Sequence, residues 1–194
     1  MSTVAPPPDE PSLAGDSVLS SRQSLEEIVG ADVVNRAIEL LSDADREAYL
    51  GAKAGSWLPV RIADEFQRAV AREARIAVDA FPEFVRAFCH RSVERMVGTV
   101  WRLVLHVLTD HQLVDRANEL HRRTYNVGRL TARVDGPGVA TISLSEWPSI
   151  SDEQMIGTAA GIEAVLGAAG RKNVSIRWKR TADGADYAAT WTPT

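Results

Sequence analysis

The spacing of the apolar residues changes at Tyr125, and this change constrains the fold more than any other feature of the sequence. Before Tyr125, apolar residues recur every three to four positions, which is the period of an amphipathic helix. After it they alternate with polar residues, which is the period of a half-buried strand. The alternating residues are Leu130, Ala132 and Val134 in one segment and Ala140, Ile142 and Leu144 in the next. Because the turn-forming residues 135–138 separate the two segments, we predict a β-hairpin that follows a helical region.

A second pair of alternating segments follows an intervening helix. Ser151 begins a capping-box pattern that predicts a helix ending near Gly170. Residues 174–178 and 187–191 then alternate again around an Asp-Gly turn. We therefore predict an α+β fold, in which an N-terminal helical region is followed by a four-stranded antiparallel β-β-α-β-β unit over residues 125–192.

Gly157 and Gly161 lie one turn apart inside the intervening helix. Each glycine in a helix costs about 1 kcal/mol relative to alanine, so the pair needs a structural reason. We interpret it as a close approach of this helix to the sheet.

The domain organisation follows from the composition of the N-terminal residues. Residues 1–22 are rich in proline, serine and aspartate, which predicts a disordered proline-rich leader. Ser24 begins a capping-box pattern, so we expect the first helix to begin there. Residues 23–194 form a single α+β domain in this interpretation, with its helical part at 23–124.

Composition and charge exclude several classes of function. The net charge of −4 gives no general attraction to nucleic acid or to anionic lipid. Cys89 is the single cysteine, so no disulfide can form within the chain. No apolar run is long enough to span a bilayer. We expect a cytoplasmic protein with neither a nucleic-acid nor a membrane partner.

No catalytic or metal-binding pattern emerges from the titratable residues. Cys89 and His90 are adjacent, and neighbouring helical residues point about 100° apart, so they do not form a nucleophile–base pair. The four histidines lack the i, i+4 spacing of a zinc site. His106 lies in an apolar helix, where a hydrogen-bonded core histidine is favoured over a haem ligand. We expect no catalytic residue, no metal ligand and no cofactor, and we assign no cofactor-binding residue.

Aromatic and aliphatic residues concentrate in two neighbouring helical segments that follow Pro82. The second segment, from about Ser92 to Leu108, is the most apolar helix of the chain. If the protein has a ligand pocket, we expect four residues of these segments to line it. They are Phe84, Phe88, Trp101 and Leu105.

The order of several short motifs resembles a known family. They are Trp57-Leu58-Pro59 at a helix start, Tyr125-Asn126-Val127-Gly128 before the hairpin, Gly161-Ile162-Glu163 in the intervening helix, and the last strand from Tyr187 to Trp191. Over residues 24–192 this order resembles a myxobacterial paralogous family of unknown function. That family is remotely similar to the vinyl-reductase-like and the haem–nitric-oxide-binding domains, which implies N-terminal helices followed by an antiparallel sheet with an intervening helix.

The resemblance also bears on ligands. The haem-binding relatives carry a Tyr-x-Ser-x-Arg motif and an axial histidine. Here Tyr125 and Arg129 are present, but Val127 replaces the serine, and no histidine can be matched to the axial ligand. The similarity to vinyl-reductase-like domains implies the binding of small hydrophobic molecules.

Our leading hypothesis is a non-enzymatic sensory or regulatory domain that binds either a small apolar ligand or a protein partner. One alternative is a scaffold module that forms homodimers or larger homo-oligomers. Another is a binder of haem or a second cofactor. An enzyme is the least favoured, because no set of polar residues that would converge in one cleft is evident.

Overall fold

The computed structural model describes residues 10–106 and 108–193, without the side chains of residues 99–103. The helical part contains β1 (Ser12–Ala14), α1 (Gly15–Val29), α2 (Ala31–Glu39), α3 (Asp43–Leu50), β2 (Trp57–Pro59), α4 (Val60–Glu73), α5 (Phe81–His106), α6 (Asp110–Asp115) and α7 (Ala117–Arg122). The C-terminal part contains β3 (Arg129–Gly136), β4 (Val139–Ser145), α8 (Asp152–Ala168), β5 (Lys172–Thr181) and β6 (Gly184–Thr192). Within the described residues, none of the helices combines the length and the apolar character needed to cross a bilayer.

The C-terminal part is the predicted β-β-α-β-β unit. Its four strands are antiparallel in the spatial order β3-β4-β6-β5, and α8 connects β4 to β5. Tyr187 at the centre of β6 is paired with Ile142 of β4 and with Trp178 of β5, so these three side chains share the inner face of the sheet. The predicted fold class is confirmed.

The ordered structure begins earlier than the predicted leader allows. Leu13 in β1 pairs with Leu58 in β2, and the amide of Ala14 donates to the carbonyl of Thr124. Residues 12–22 therefore belong to β1 and α1, whereas residues 1–9 of the predicted leader lie outside the described residues. The prediction weighed the local proline content, but burial of Leu13 and Val18 depends on distant segments of the chain.

The first helix begins at Gly15 rather than at Ser24. A Cβ atom at Gly15 would lie 2.1 Å from the carbonyl oxygen of Lys53, so this close approach requires glycine. Ser24 lies inside α1, where it is buried and its hydroxyl has no hydrogen-bond partner. Its capping-box pattern therefore marks no helix start.

The two apolar segments that follow Pro82 form one helix, α5, with a kink at Gly98. Pro82 occupies the first turn, where its missing N–H costs no helical hydrogen bond. Gly98 has φ 52° and ψ 175°, a left-handed conformation that glycine adopts readily. The kink thus separates an N-terminal half of α5 from a C-terminal half.

The glycine pair of α8 faces α5 and not the sheet, which corrects our interpretation. A Cβ atom at Gly157 would lie 3.3 Å from Cys89 Sγ, and one at Gly161 would lie 3.7 Å from Val93 Cγ2. The spacing of the two glycines indicated a close approach but carried no information about which element approaches.

Two apolar clusters hold these elements together. The larger one joins the helices to the inner face of the sheet, and it includes Phe88. The smaller one consists of Leu105, Leu113 and Ala169, where the end of α5 meets α6 and the end of α8. Arg171, at the start of β5, fastens this corner, because its Nη2 atom donates to Asp110 Oδ1 at 2.7 Å and to the carbonyl of Leu108 at 2.8 Å.

Candidate ligand cavity

A cavity of about 410 Å³ lies between the helices and the sheet. Its walls come from α1, α5, α6, α7 and α8 and from the inner face of β3, β4 and β6. Aliphatic side chains predominate in these walls, among them Val93, Val97, Leu113, Ile142, Ile162 and Val165. A cavity of this volume and lining is typical of a site for a small, mainly apolar molecule.

A buried chain of hydrogen bonds runs along one wall of the cavity. The Tyr125 hydroxyl donates to Gln154 Oε1 at 2.7 Å, and Gln154 Nε2 donates to Asp64 Oδ1. Burial raises the pKa of the Asp64 carboxyl and the pKa of the Tyr125 hydroxyl. Glu153 beside them is paired with Arg68 at 2.6 Å. The acidic groups of this wall are therefore already bonded to other residues.

Among the described residues, three further polar atoms in this region are buried without a hydrogen-bond partner. They are Gln67 Oε1, Thr158 Oγ1 and the hydroxyl oxygen of Tyr187. Gln67 and Thr158 line the cavity. Buried polar atoms are normally paired, so unpaired ones at a cavity wall are candidates for contact with a ligand.

Cys89 also lines the cavity, but it has no partner that would activate it. Burial raises the pKa of its thiol to about 12, so the thiolate that acts as a nucleophile is not formed near neutral pH. His90 lies next to it in sequence and pairs with Glu94, at 3.5 Å between Nδ1 and Oε2. The described contact of His90 is therefore to Glu94 and not to the Cys89 thiol.

His121 is the histidine that contributes to the cavity wall. Its Nε2 atom lies 2.9 Å from the carbonyl oxygen of Val127, and its ring lies 5.1 Å from the ring of Tyr125. Burial lowers the pKa of His121, so the neutral imidazole donates its Nε2 hydrogen to Val127. This bond connects the end of α7 to the chain that enters β3. In contrast, His106 is exposed beside Gly170 and is not the core histidine that we predicted.

We expect the free energy of unfolding to fall as the pH is lowered from about 7.5 to about 5.5, in part because of His121. The unfolded imidazole takes up a proton near its ordinary pKa of 6.5, whereas the folded one resists protonation. The unfolded state therefore binds more protons below pH 6.5, and stability is lost there. Urea unfolding at several pH values measures this slope.

The matched variant is His121→Gln, which keeps an amide donor and removes the titration. Its stability should fall less over this pH range than that of the unmodified chain. Asp64 acts in the opposite direction because its folded pKa is raised, but it is common to both chains. Equal slopes for the His121→Gln variant and the unmodified chain would contradict the prediction.

The four residues predicted to line a pocket occupy different places. Leu105 lines the cavity. Phe84 and Phe88 pack against each other in the larger core cluster, with ring centroids 5.5 Å apart, and are not among the described residues of the cavity wall. Trp101 belongs to the C-terminal half of α5, and its side chain lies outside the described residues.

The sequence interpretation missed Thr158, Gln154, Tyr125 and His121 as wall residues. A signal existed for the first two, because Gln154, Thr158 and Gly161 are spaced to share one face of α8. Within the described residues, no group of three or more histidine, cysteine or acidic side chains is arranged to hold a metal ion.

The fold of this chain is similar to that of solved structures, although its sequence is not similar to that of a known family. No protein family and no curated protein match the sequence. The H-NOX protein from K. algicida, in the Fe(II) unliganded state, superposes over 93% of this chain and 97% of its own, with a TM-score of 0.69 and 8% identity. The chain has the H-NOX fold.

Two other solved structures agree with this assignment. A mutant of T. tengcongensis H-NOX with a single substitution covers 93% of this chain and 98% of its own, with a TM-score of 0.66 and 12% identity. An oxygen-binding H-NOX domain related to soluble guanylate cyclases covers 93% and 94%, with a TM-score of 0.64 and 10% identity. The remote resemblance to haem–nitric-oxide-binding domains is thus confirmed at the level of the fold, while the resemblance to a myxobacterial family stays a prediction.

The residues of this H-NOX fold do not fit haem. His121 is the histidine that lines the cavity, and its Nε2 bonds to Val127 while its ring packs against Tyr125 and Trp147. The Cys89 thiol, another type of iron ligand, is kept protonated because burial raises its pKa. The two carboxylates of a haem need polar or cationic partners. Tyr125 instead bonds inward to Gln154, Val127 has no hydroxyl, and Arg129 is exposed.

Proposed function

We propose that this chain is a non-enzymatic sensory or regulatory domain that binds a small, mainly apolar molecule in the cavity. The observation that carries the proposal is the cavity itself, which has a volume of about 410 Å³ and predominantly aliphatic walls. Apolar side chains that face an unfilled cavity forfeit van der Waals contacts that a ligand would restore.

The charged groups at the wall favour binding over catalysis. Glu153 is paired with Arg68, and Asp110 at the rim is paired with Arg171. The Cys89 thiol stays protonated near neutral pH, because burial raises its pKa. The paired carboxylates of Glu153 and Asp110 therefore stabilise the walls of the cavity.

The position of the cavity also supports a regulatory role. Its wall includes α6 and α7, which are fastened to the rest of the protein by Arg171 and by His121. A ligand that contacts these helices is in a position to change how they pack, and that change would reach the protein surface. The predicted alternative of a homodimer can be checked by light scattering of the purified chain at high concentration.

Titration of the purified full chain with the neutral dye N-phenyl-1-naphthylamine tests the proposal. We expect saturable binding of one dye molecule per chain, with enhanced fluorescence that small aliphatic molecules reverse. Native mass spectrometry and an absorbance spectrum of the same sample report a ligand retained from expression. Absence of saturable dye binding would contradict the proposal, and a stoichiometric Soret band would replace it by the haem alternative.

A further inference from the structure

We propose that the cavity selects a neutral aliphatic alcohol, whose hydroxyl group binds at Thr158 while its chain lies along α8. This inference rests on the proposed function and specifies the ligand class of the same cavity. The competing classes are a hydrocarbon or ether, which cannot donate a hydrogen bond, and a fatty acid, whose head group is charged.

Thr158 supplies the primary contact for the head group. The residue lines the cavity and is 8% exposed, yet its Oγ1 atom has no hydrogen-bond partner in the part of the chain that the structure describes. A buried hydroxyl left unpaired costs about 1–3 kcal/mol, which a ligand hydroxyl would recover.

The surroundings of Thr158 are neutral hydrogen-bonding groups. The hydroxyls of Tyr125 and Tyr187 lie beside it, and hydrogen bonding to Thr158 lowers the pKa of each tyrosine against the larger effect of burial. Neither contact has the distance and angles of a full hydrogen bond. The Tyr187 hydroxyl is itself unpaired. Burial raises the pKa of both tyrosines, so both hydroxyls stay protonated. A ligand hydroxyl, which both donates and accepts, matches this set.

The charges near this end of the cavity disfavour an anionic head group. Asp64 and Glu153 lie in the adjoining network, and Arg68 is already paired with Glu153. Arg180, the cation that acts on Tyr187, is bound to Asp152 at 2.7 Å and to the carbonyl of Ile150 at 2.6 Å. A carboxylate would lose its hydration here without gaining either of these two arginines as a partner, because both are already paired.

The apolar part of the ligand has a continuous path along α8. Thr158, Ile162 and Val165 follow each other at helical spacing on one face, and all three line the cavity. The path continues to Leu105 and Leu113 at the corner fastened by Arg171. From Thr158 to Leu166 the helix rises by roughly 12 Å, which suits an extended aliphatic chain.

The test compares three ligands of equal chain length, namely 1-decanol, decyl methyl ether and decanoate, as competitors of N-phenyl-1-naphthylamine near neutral pH. We expect decanol to bind the unmodified full chain about tenfold more tightly than either of the others, which corresponds to about 1.4 kcal/mol. The Thr158→Val variant, which keeps the side-chain shape, should reduce the preference for decanol over the ether to less than about twofold, with the ether's own affinity unchanged.

Two further variants separate a loss of the preference for decanol from a loss of folding. Tyr187→Phe removes the second unpaired hydroxyl but keeps the ring, and it should also weaken the preference. Thr190→Val, at an exposed position of β6, should leave the preference intact. If the unmodified chain binds the ether or decanoate as tightly as it binds decanol, the assignment of an alcohol is wrong, while the proposed function still stands. Absence of dye binding would instead remove the proposed function.

Discussion

Replacing Phe88 by alanine is expected to lower the free energy of unfolding by about 3–5 kcal/mol. The Phe88 side chain is completely buried, and its ring packs against Phe84 in the larger core cluster. The substitution removes the ring and leaves a space that the surrounding helices and sheet fill only in part. Urea unfolding at equilibrium measures the loss.

Phe81→Ala is the matched control for this prediction. Phe81 begins the same helix and is half-buried, so its loss should be clearly smaller. A loss below about 1 kcal/mol for Phe88→Ala would show that the ring does not belong to the core.

The same variant tests the sequence prediction that Phe84 and Phe88 line a ligand pocket. We expect the molecules of Phe88→Ala that remain folded to bind the neutral dye as the unmodified chain does. Leu105→Ala, in contrast, alters the cavity wall and should change the dye affinity. The opposite pattern would place the pocket at the phenylalanines.

The second large effect is expected from Gly161→Leu, which should weaken dye binding by about tenfold or more. Among the described atoms, a Cβ atom at Gly161 meets only Val93, at 3.7 Å, so the backbone can accept a side chain. Because Gly161 lines the cavity, a leucine there occupies volume that a ligand needs. Dye titration together with thermal unfolding separates loss of binding from loss of folding.

Gly167→Leu provides the control on the same helix. A Cβ atom at Gly167 meets none of the described atoms within 4 Å, and the residue is exposed. The two variants replace the same residue type in α8, so a general effect of leucine on the helix appears in both. Equal dye affinities of Gly161→Leu and Gly167→Leu would show that the ligand does not occupy the cavity beside Gly161.

The β-β-α-β-β unit could be predicted because its information is local. Alternation after Tyr125, two turns and the capping residue Ser151 determine strands and helix from neighbouring residues alone. The start of the ordered chain could not be predicted in this way. β1 is held by Leu58 and Thr124, which lie 45 or more positions away from Leu13 and Ala14.

The candidate site was harder to predict than the fold for a physical reason. Phe88 and Leu105 have the same apolar pattern in sequence, although one fills the core and the other borders the cavity. Periodicity reports which side chains avoid water, but not whether protein atoms occupy the space that they enclose. The unpaired state of Thr158 is likewise a property of the assembled structure.

The kink at Gly98 divides α5 into two helical halves that pack against different parts of the protein. The first half holds Phe84 and Phe88 in the core, and the second half shares a small cluster with α6 and the end of α8. Because one glycine joins the halves, a tilt of the second half changes few backbone angles and leaves the core contacts of the first intact. Substitutions in the second half are therefore expected to alter the cavity wall, which includes Leu105, while the core contacts of the first half are kept.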